Sequence, residues 1–286
     1  MNRGASVRAR LLAIAKSEGS DFNQVLVRFA LERLLYRLSV SGHADRFLLK
    51  GALLFNLWYD MPHRPTRDAD LLGFGPSDLD SMTMAFREIA SIPVDDGIVF
   101  DATSVRADTI RKEAGYAGAH VWMSAAIDKA ICKTQVDIGF GDAVTPGPIE
   151  ARYPVLLDDL PAPLLRTYPV YSVIAEKVHA IALLGMANSR LKDYFDLWVL
   201  LDRERLDADI LADALAATFE RRSMPVPVKL PVGLSEEFAD DRSRQAIWTA
   251  FLRKNGLAPM PLSGVVAMLR ENLGPALVGA AKRSRS

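Results

Sequence analysis

Lys50-Gly51-Ala52, followed after an amphipathic segment by Thr66-Arg67-Asp68-Ala69-Asp70-Leu71, is the stretch on which the reading of this chain turns. Side chains alternate faces along a strand, so Asp68 and Asp70 at i and i+2 project together. Two adjacent carboxylates repel, and burying either costs several kcal/mol unless positive charge sits between them. A hard divalent cation carrying a triphosphate meets that need, because such cations prefer oxygen ligands. A glycine upstream lets backbone approach a phosphate closely.

A third carboxylate stands in Thr134-Gln135-Val136-Asp137-Ile138-Gly139-Phe140. Val136, Ile138 and Phe140 alternate with Gln135 and Asp137, which predicts a strand with Asp137 opposite the apolar face. A carboxylate on a neighbouring strand could complete a metal shell or take a proton from an attacking hydroxyl. It could equally be a strand-end aspartate before the turn Gly141-Asp142.

Further along, Ala175-Glu176-Lys177-Val178-His179 lies on a predicted helix that follows Pro169, with Ser172 as its expected N-cap. Val173, Ile174, Val178, Ile181 and Leu184 form its apolar stripe, and Lys177 lies beside that stripe. Gly185 to Ser189 interrupts the pattern. A second helix follows, with Tyr194, Leu197, Trp198 and Leu201 as its buried stripe and Asp193 and Asp196 as i, i+3 neighbours. The plainest account of these charges is a helical hairpin with surface salt bridges. His179 reads as a boundary histidine, and no His or Cys has metal-ligand spacing.

Together these blocks resemble the AbiEii-type nucleotidyltransferase toxins, the enzymatic half of abortive-infection toxin–antitoxin pairs. The matching pieces are Ala30–Leu38, Phe47–Ala52, Arg64–Leu71, Tyr116–Gly118, Val136–Asp142, Ala175–Lys177 and Ser189–Leu197, in the family's order. The resemblance spans about residues 21–201. It implies an α+β fold, a mixed nucleotidyltransferase sheet flanked by helices, with a mainly helical C-terminal domain. It implies Asp68 and Asp70 as the ligands of Mg²⁺ or Mn²⁺, with Asp137, Lys177 and Asp193 as further catalytic positions. Lys50, Gly51, Ala52, Arg67, Lys177 and Lys192 would bind the nucleoside triphosphate. The implied acceptor is RNA, notably a tRNA 3′ end, with a cognate antitoxin as partner. Thr66, two residues before Asp68, is a candidate regulatory position, since a phosphate there would add charge beside the metal site. The family usually has Gly-Gly or Gly-Ser where this chain has Gly51-Ala52. The same motif chemistry would also serve a small-molecule nucleotidyltransferase, or a catalytically inactive binding module.

The 286 residues suffice for one large domain or two smaller ones. Half the chain is hydrophobic, enough for a sizeable core. Lys+Arg and Asp+Glu are both 35, which argues against a strongly basic, non-specific nucleic-acid binder. Local cations that could face RNA are Arg37, Arg46, Lys50, Arg64, Arg67, Arg221-Arg222 and Lys282-Arg283. The single cysteine, Cys132, rules out an internal disulfide framework and reads as core. No signal core and no apolar run of about 18–20 residues stands out, so a cytoplasmic protein without a membrane span is expected.

Helices are predicted over 3–17, 22–39, 45–59 and 78–90. The second should be capped by Asp21 and Gln24. Strands are predicted near 67–74, 92–105, 119–124 and 133–140. The proline-rich stretch from Pro146 to Pro169 suggests a boundary between domains 1–165 and 166–286. Residues 223–231 read as a second linker, and the tail from Lys282 as frayed.

Overall fold

The computed structural model describes residues 2–59, 66–110 and 118–284. The chain divides into two compact units. Unit 1 comprises Met1–Gly141 and Ile149–Thr167, and unit 2 comprises Asp142–Pro148 and Tyr168–Ser286. The segment 142–148, which the sequence reading leaves in the first domain, thus packs with the second unit.

Unit 1 opens with α1 (Arg3–Glu18) and α2 (Phe22–Ser39), the latter capped by the Asp21 side chain accepting from the Gln24 amide. Then come β1 (Phe47–Lys50), α3 (Leu53–Trp58), β2 (Asp68–Gly73), α4 (Leu79–Ser91), β3 (Val99–Thr109), β4 (Gly118–Ile127) and β5 (Ala130–Phe140). Two short strands, β6 (Ile149–Arg152) and β7 (Leu164–Thr167), complete a seven-stranded mixed sheet of order β3-β4-β5-β2-β1-β7-β6. The α+β architecture expected from the sequence is therefore present.

The helix expected over 45–59 is instead a strand, a turn and a short helix. Phe47 to Lys50 are all buried, because β1 lies inside the sheet between β2 and β7. A short apolar run covered on both faces has no periodicity to separate strand from helix. Gly51 then turns the chain at φ +73°. The strand expected from residue 92 begins only at Val99, after a loop that turns at Gly97 with φ +77°.

That loop is held by a buried ion network. Asp96 accepts from Arg33 Nε at 3.0 Å and from Arg37 Nη1 at 2.7 Å. Arg37 also donates to the Ile92 and Ile98 carbonyls. Arg37 is thus spent inside the fold and is not a cation facing RNA. Glu32, beside Arg33, accepts from the Leu156 amide at 2.7 Å, and burial pushes its carboxyl up to about 7.

The back of the sheet is apolar: Phe47, Leu49, Ala69, Leu71, Val136, Ile138, Ala119 and Val121 are buried. Phe47 meets Phe86 of α4 edge-on at 5.6 Å. The alternation that buries these residues turns the intervening ones to the opposite face.

Unit 2 is helical: α5 (Val170–Leu184), α6 (Leu191–Arg203), α7 (Ala208–Arg221), α8 (Glu236–Asp240), α9 (Arg242–Lys254) and α10 (Leu262–Arg283). Pro169, not Ser172, caps α5. Ser172 is already one turn inside. It accepts from the Thr145 amide at 2.8 Å and donates to the Thr145 carbonyl at 3.1 Å, fastening segment 142–148 to the helix.

The window Val170–Ala187 is, by length and composition, apolar enough to cross a membrane, contrary to the sequence reading. Its helix packs as a core element, with Val173, Ile174, Val178 and Ile181 buried in unit 2. The tail is ordered helix through Arg283, which bonds Asp209 and Asp213 of α7, so Lys282-Arg283 does not begin a frayed end.

Candidate active site

The other face of the sheet in unit 1 carries two polar rows set by strand register. Lys50 on β1 pairs with Asp70 on β2, Asp70 with Asp137 on β5, and Asp137 with His120 on β4. One step along, Asp68 pairs with Gln135, and Gln135 with Trp122. The structure therefore brings Asp68, Asp70 and Asp137 together on one face, with Lys50 on the flank of Asp70.

Gly51 explains how the chain tolerates that density. A Cβ at this position would fall on Asp70 Oδ2 and lie 2.6 Å from its Cγ. The bare glycine backbone is the wall against which the Asp70 carboxylate lies. Its φ of +73° is a conformation that side chains rarely adopt. Ala52, by contrast, sits at φ −68° and ψ −27°, where a methyl group costs nothing. The freedom of a second glycine is not used here.

Asp68 is held by Thr66, whose hydroxyl donates to Oδ1 at 2.6 Å. Arg67, between them, is exposed. Of the quoted sequence blocks, Arg64, Pro65, Tyr116 and Ala117 lie outside the described residues.

Asp137 is held more firmly. Its Oδ1 meets His120 Nδ1 at 2.7 Å and accepts from Gln135 Nε2 at 2.7 Å. Gln135 Oε1 accepts in turn from Trp122 Nε1 at 3.0 Å. Sequence reasoning missed His120, Gln135 and Trp122 as a group. The signal that could have found them is the two-residue turn Asp128-Lys129, with Asp128 at φ +54°. A hairpin closed there fixes the β4–β5 register, and counting back aligns His120 with Asp137 and Trp122 with Gln135.

In unit 2, Lys177 Nζ lies 2.9 Å from Asp193 Oδ1 and 2.7 Å from Asp196 Oδ2. Arg190 Nε adds a contact of 2.8 Å to Asp193. The two carboxylates are 1% and 0% exposed and Lys177 13%, so this is a buried ion cluster and not the surface bridge that charge on helices suggests. Lys192, on the same helix, points to solvent.

A second cluster surrounds Arg222, which reaches Asp142 at 3.0 Å, Glu176 at 3.5 Å and His179 Nδ1 at 3.3 Å. Burial, and then the neighbouring guanidinium, push His179 down to about 4, so its ring is neutral near pH 7. Arg222 is thus tied into unit 2 and is not a cation turned to RNA, whereas Arg221 beside it is exposed.

A solved structure of JHP933 from Helicobacter pylori matches 92% of this chain and 93% of its own, with a TM-score of 0.50 and 14% identity. A candidate nucleotidyltransferase from H. pylori gives 0.49 and 15%, over 91% of this chain and 96% of that one. At 14% identity the likeness to JHP933 speaks to the fold alone. No curated protein matches the chain. The family model for the nucleotidyl transferase AbiEii toxin of type IV toxin–antitoxin systems matches residues 33–271.

Proposed function

The chain belongs to the AbiEii nucleotidyltransferase toxins, and from that premise we propose that it transfers a nucleoside monophosphate from a nucleoside triphosphate to an RNA hydroxyl, with a tRNA 3′ end as acceptor. The observation that supports this is the alignment of Asp68, Asp70 and Asp137 on one sheet face beside the Gly51 turn.

The donor set fits a hard divalent cation, Mg²⁺ or Mn²⁺. The carboxylate oxygens of Asp68 and Asp70 share a face, and the Gly51 backbone leaves room for Asp70 that any side chain would fill. Among the described residues, no group of three or more His, Cys, Asp or Glu closes around an ion. Asp68 and Asp70 would therefore share it with phosphate oxygens and water. When bound, the ion supplies charge neutralisation on the triphosphate.

The protein's own part is positioning and electrostatics. The acceptor oxygen bonds to the α-phosphorus, and the bond to the departing pyrophosphate breaks. The hydroxyl proton passes to a carboxylate. Asp137 suits that role better than Asp193. Its two hydrogen bonds converge on Oδ1, and Oδ2 takes neither of them, whereas Asp193 is claimed by Lys177 and Arg190. Lys50, in register with Asp70, adds positive charge beside the carboxylates. Lys177 as a triphosphate contact rests on the family resemblance, as does an antitoxin that restrains the enzyme.

Labelled nucleotides incubated with the protein, total RNA and Mg²⁺ test the proposal. Wild type should label RNA. Asp68→Ala and Asp70→Ala should each lose at least roughly 10²–10³-fold, the scale for removing one preorganised electrostatic partner, while remaining folded. Full activity in either variant would sink the assignment.

Thr66 gives a second test. Its bond to Asp68 makes the hydroxyl a holder of that carboxylate, so Thr66→Val should slow transfer about tenfold or more and Thr66→Ser should not. Thr66→Glu should abolish it, by placing a like charge beside Asp68. If Thr66→Val is fully active while Thr66→Glu is dead, the hydroxyl is a control point for covalent capping and does not hold the site.

A further inference from the structure

The carboxylate face does not end at Asp137. It continues onto β4, where His120 and Trp122 lie two residues apart with ring centroids 5.4 Å from each other and planes 32° apart. Both are partly exposed, unlike Ala119, Val121 and Met123 between and beside them, which are buried on the other face. An indole needed only to fill the core would sit among those.

The Trp122 ring is also fixed in place. Its only polar atom donates to Gln135 Oε1 at 3.0 Å, while Gln135 Nε2 donates to Asp137 Oδ1 at 2.7 Å. One amide thus sets both the plane of the indole and the orientation of the carboxylate. Trp122 stands two strands from Asp68 along one register row, roughly 10 Å at the usual strand spacing. That is within the span of one nucleotide. The row continues to Arg106 on the edge strand β3, in register with Trp122, its guanidinium held by the Thr103 and Val105 carbonyls at 2.8 Å each. An aromatic face with a cation beside it is the combination that holds unpaired bases, because every base offers a π-face to stack.

We propose that His120 and Trp122 form a stacking platform for a nucleobase, held in register with Asp137 through Gln135. The inference rests on the nucleotidyl-transfer reading above and adds to it where the base lies. The base could belong to the triphosphate or to the acceptor RNA; the ring recognises the same chemistry in both.

The test is binding, measured separately from transfer. The full chain is equilibrated with each of the four nucleoside triphosphates and with a single-stranded oligoadenylate. Base-free counterparts, ribose 5-triphosphate and an abasic oligonucleotide, are run in parallel. Trp122→Ala and Trp122→Leu should weaken binding about 5- to 150-fold, the range for losing one base–aromatic stack, and Trp122→Phe should restore most of it. On wild type, the base-free counterpart should bind as weakly as the base-bearing ligand binds to Trp122→Ala.

A loss confined to triphosphates places the substrate's base on the platform, and a loss confined to the oligonucleotide places the acceptor's base there. Variants that bind both ligands like wild type overturn the proposal. So does a wild type that fails to distinguish base-bearing from base-free ligands, a comparison that needs no variant to fold. Trp122-dependent binding without any RNA labelling would defeat the transfer reading and leave the platform standing. RNA labelling with Trp122-independent binding would do the reverse.

Discussion

Lys177→Ala is expected to lower the stability of unit 2 by about 3–5 kcal/mol, the scale for removing one partner from a buried ion group. The substitution would leave Asp193 and Asp196, both buried, without the ammonium that lies between them. Arg190, half exposed, would remain in contact with Asp193. A surface salt bridge in the same sequence positions would cost no more than about 1 kcal/mol. Denaturant unfolding separates the two figures. Combining Lys177→Ala with Asp193→Asn and Asp196→Asn should recover much of the loss, since the two buried negative charges go with the lysine. Lys177→Arg should fall between, because a forked guanidinium does not fit a space shaped for a compact ammonium. If Lys177→Ala unfolds like wild type and only nucleotide binding weakens, the residue is a phosphate contact and the ion cluster is incidental.

Gly51→Ala should be the most damaging single methyl group in unit 1. It would force an alanine into the left-handed region, at about 1–2 kcal/mol, and push the Asp70 carboxylate from its place. Transfer should fall by at least about 10²-fold, with only a modest drop in melting temperature. Ala52→Gly is the control. Its backbone is already right-handed, so activity should stay within a few-fold of wild type. Wild-type transfer by Gly51→Ala would mean that Asp70 does not need the position it holds.

Much of this site was legible in the sequence, and what was not has physical reasons. Asp68, Asp70 and Asp137 could be read because alternation within a single strand reports its face. β1 could not, because a strand covered on both sides has no alternation. The platform of His120 and Trp122 escaped because its meaning lies in pairing between strands. Gln135 reads as an unremarkable polar spacer until the β4–β5 register lays it between Trp122 and Asp137. The α5–α6 cluster was legible as charge at helical spacing, but not as buried charge. Burial comes from packing that one helix's periodicity does not state. Arg37 misled for the same reason: nothing local to α2 reveals that Asp96 closes over it.

Strand order carries a consequence in time. β2 is flanked by β1, its near neighbour in the chain, and by β5, which pairs in parallel only after the β3–β4 excursion has been made. At about 5–20 residues per second, synthesis delivers the first two aspartates several seconds before the third. In that interval β2 has an unpaired edge, and non-local pairings of this kind form slowly. A chain stopped just short of β5 would hold the aspartate pair and His120 without Asp137 or Gln135. The face of Asp68, Asp70 and Asp137 should therefore assemble abruptly during elongation, when β5 docks. A ladder of stalled chains probed by limited proteolysis of β2 would show it as a step and not as a ramp.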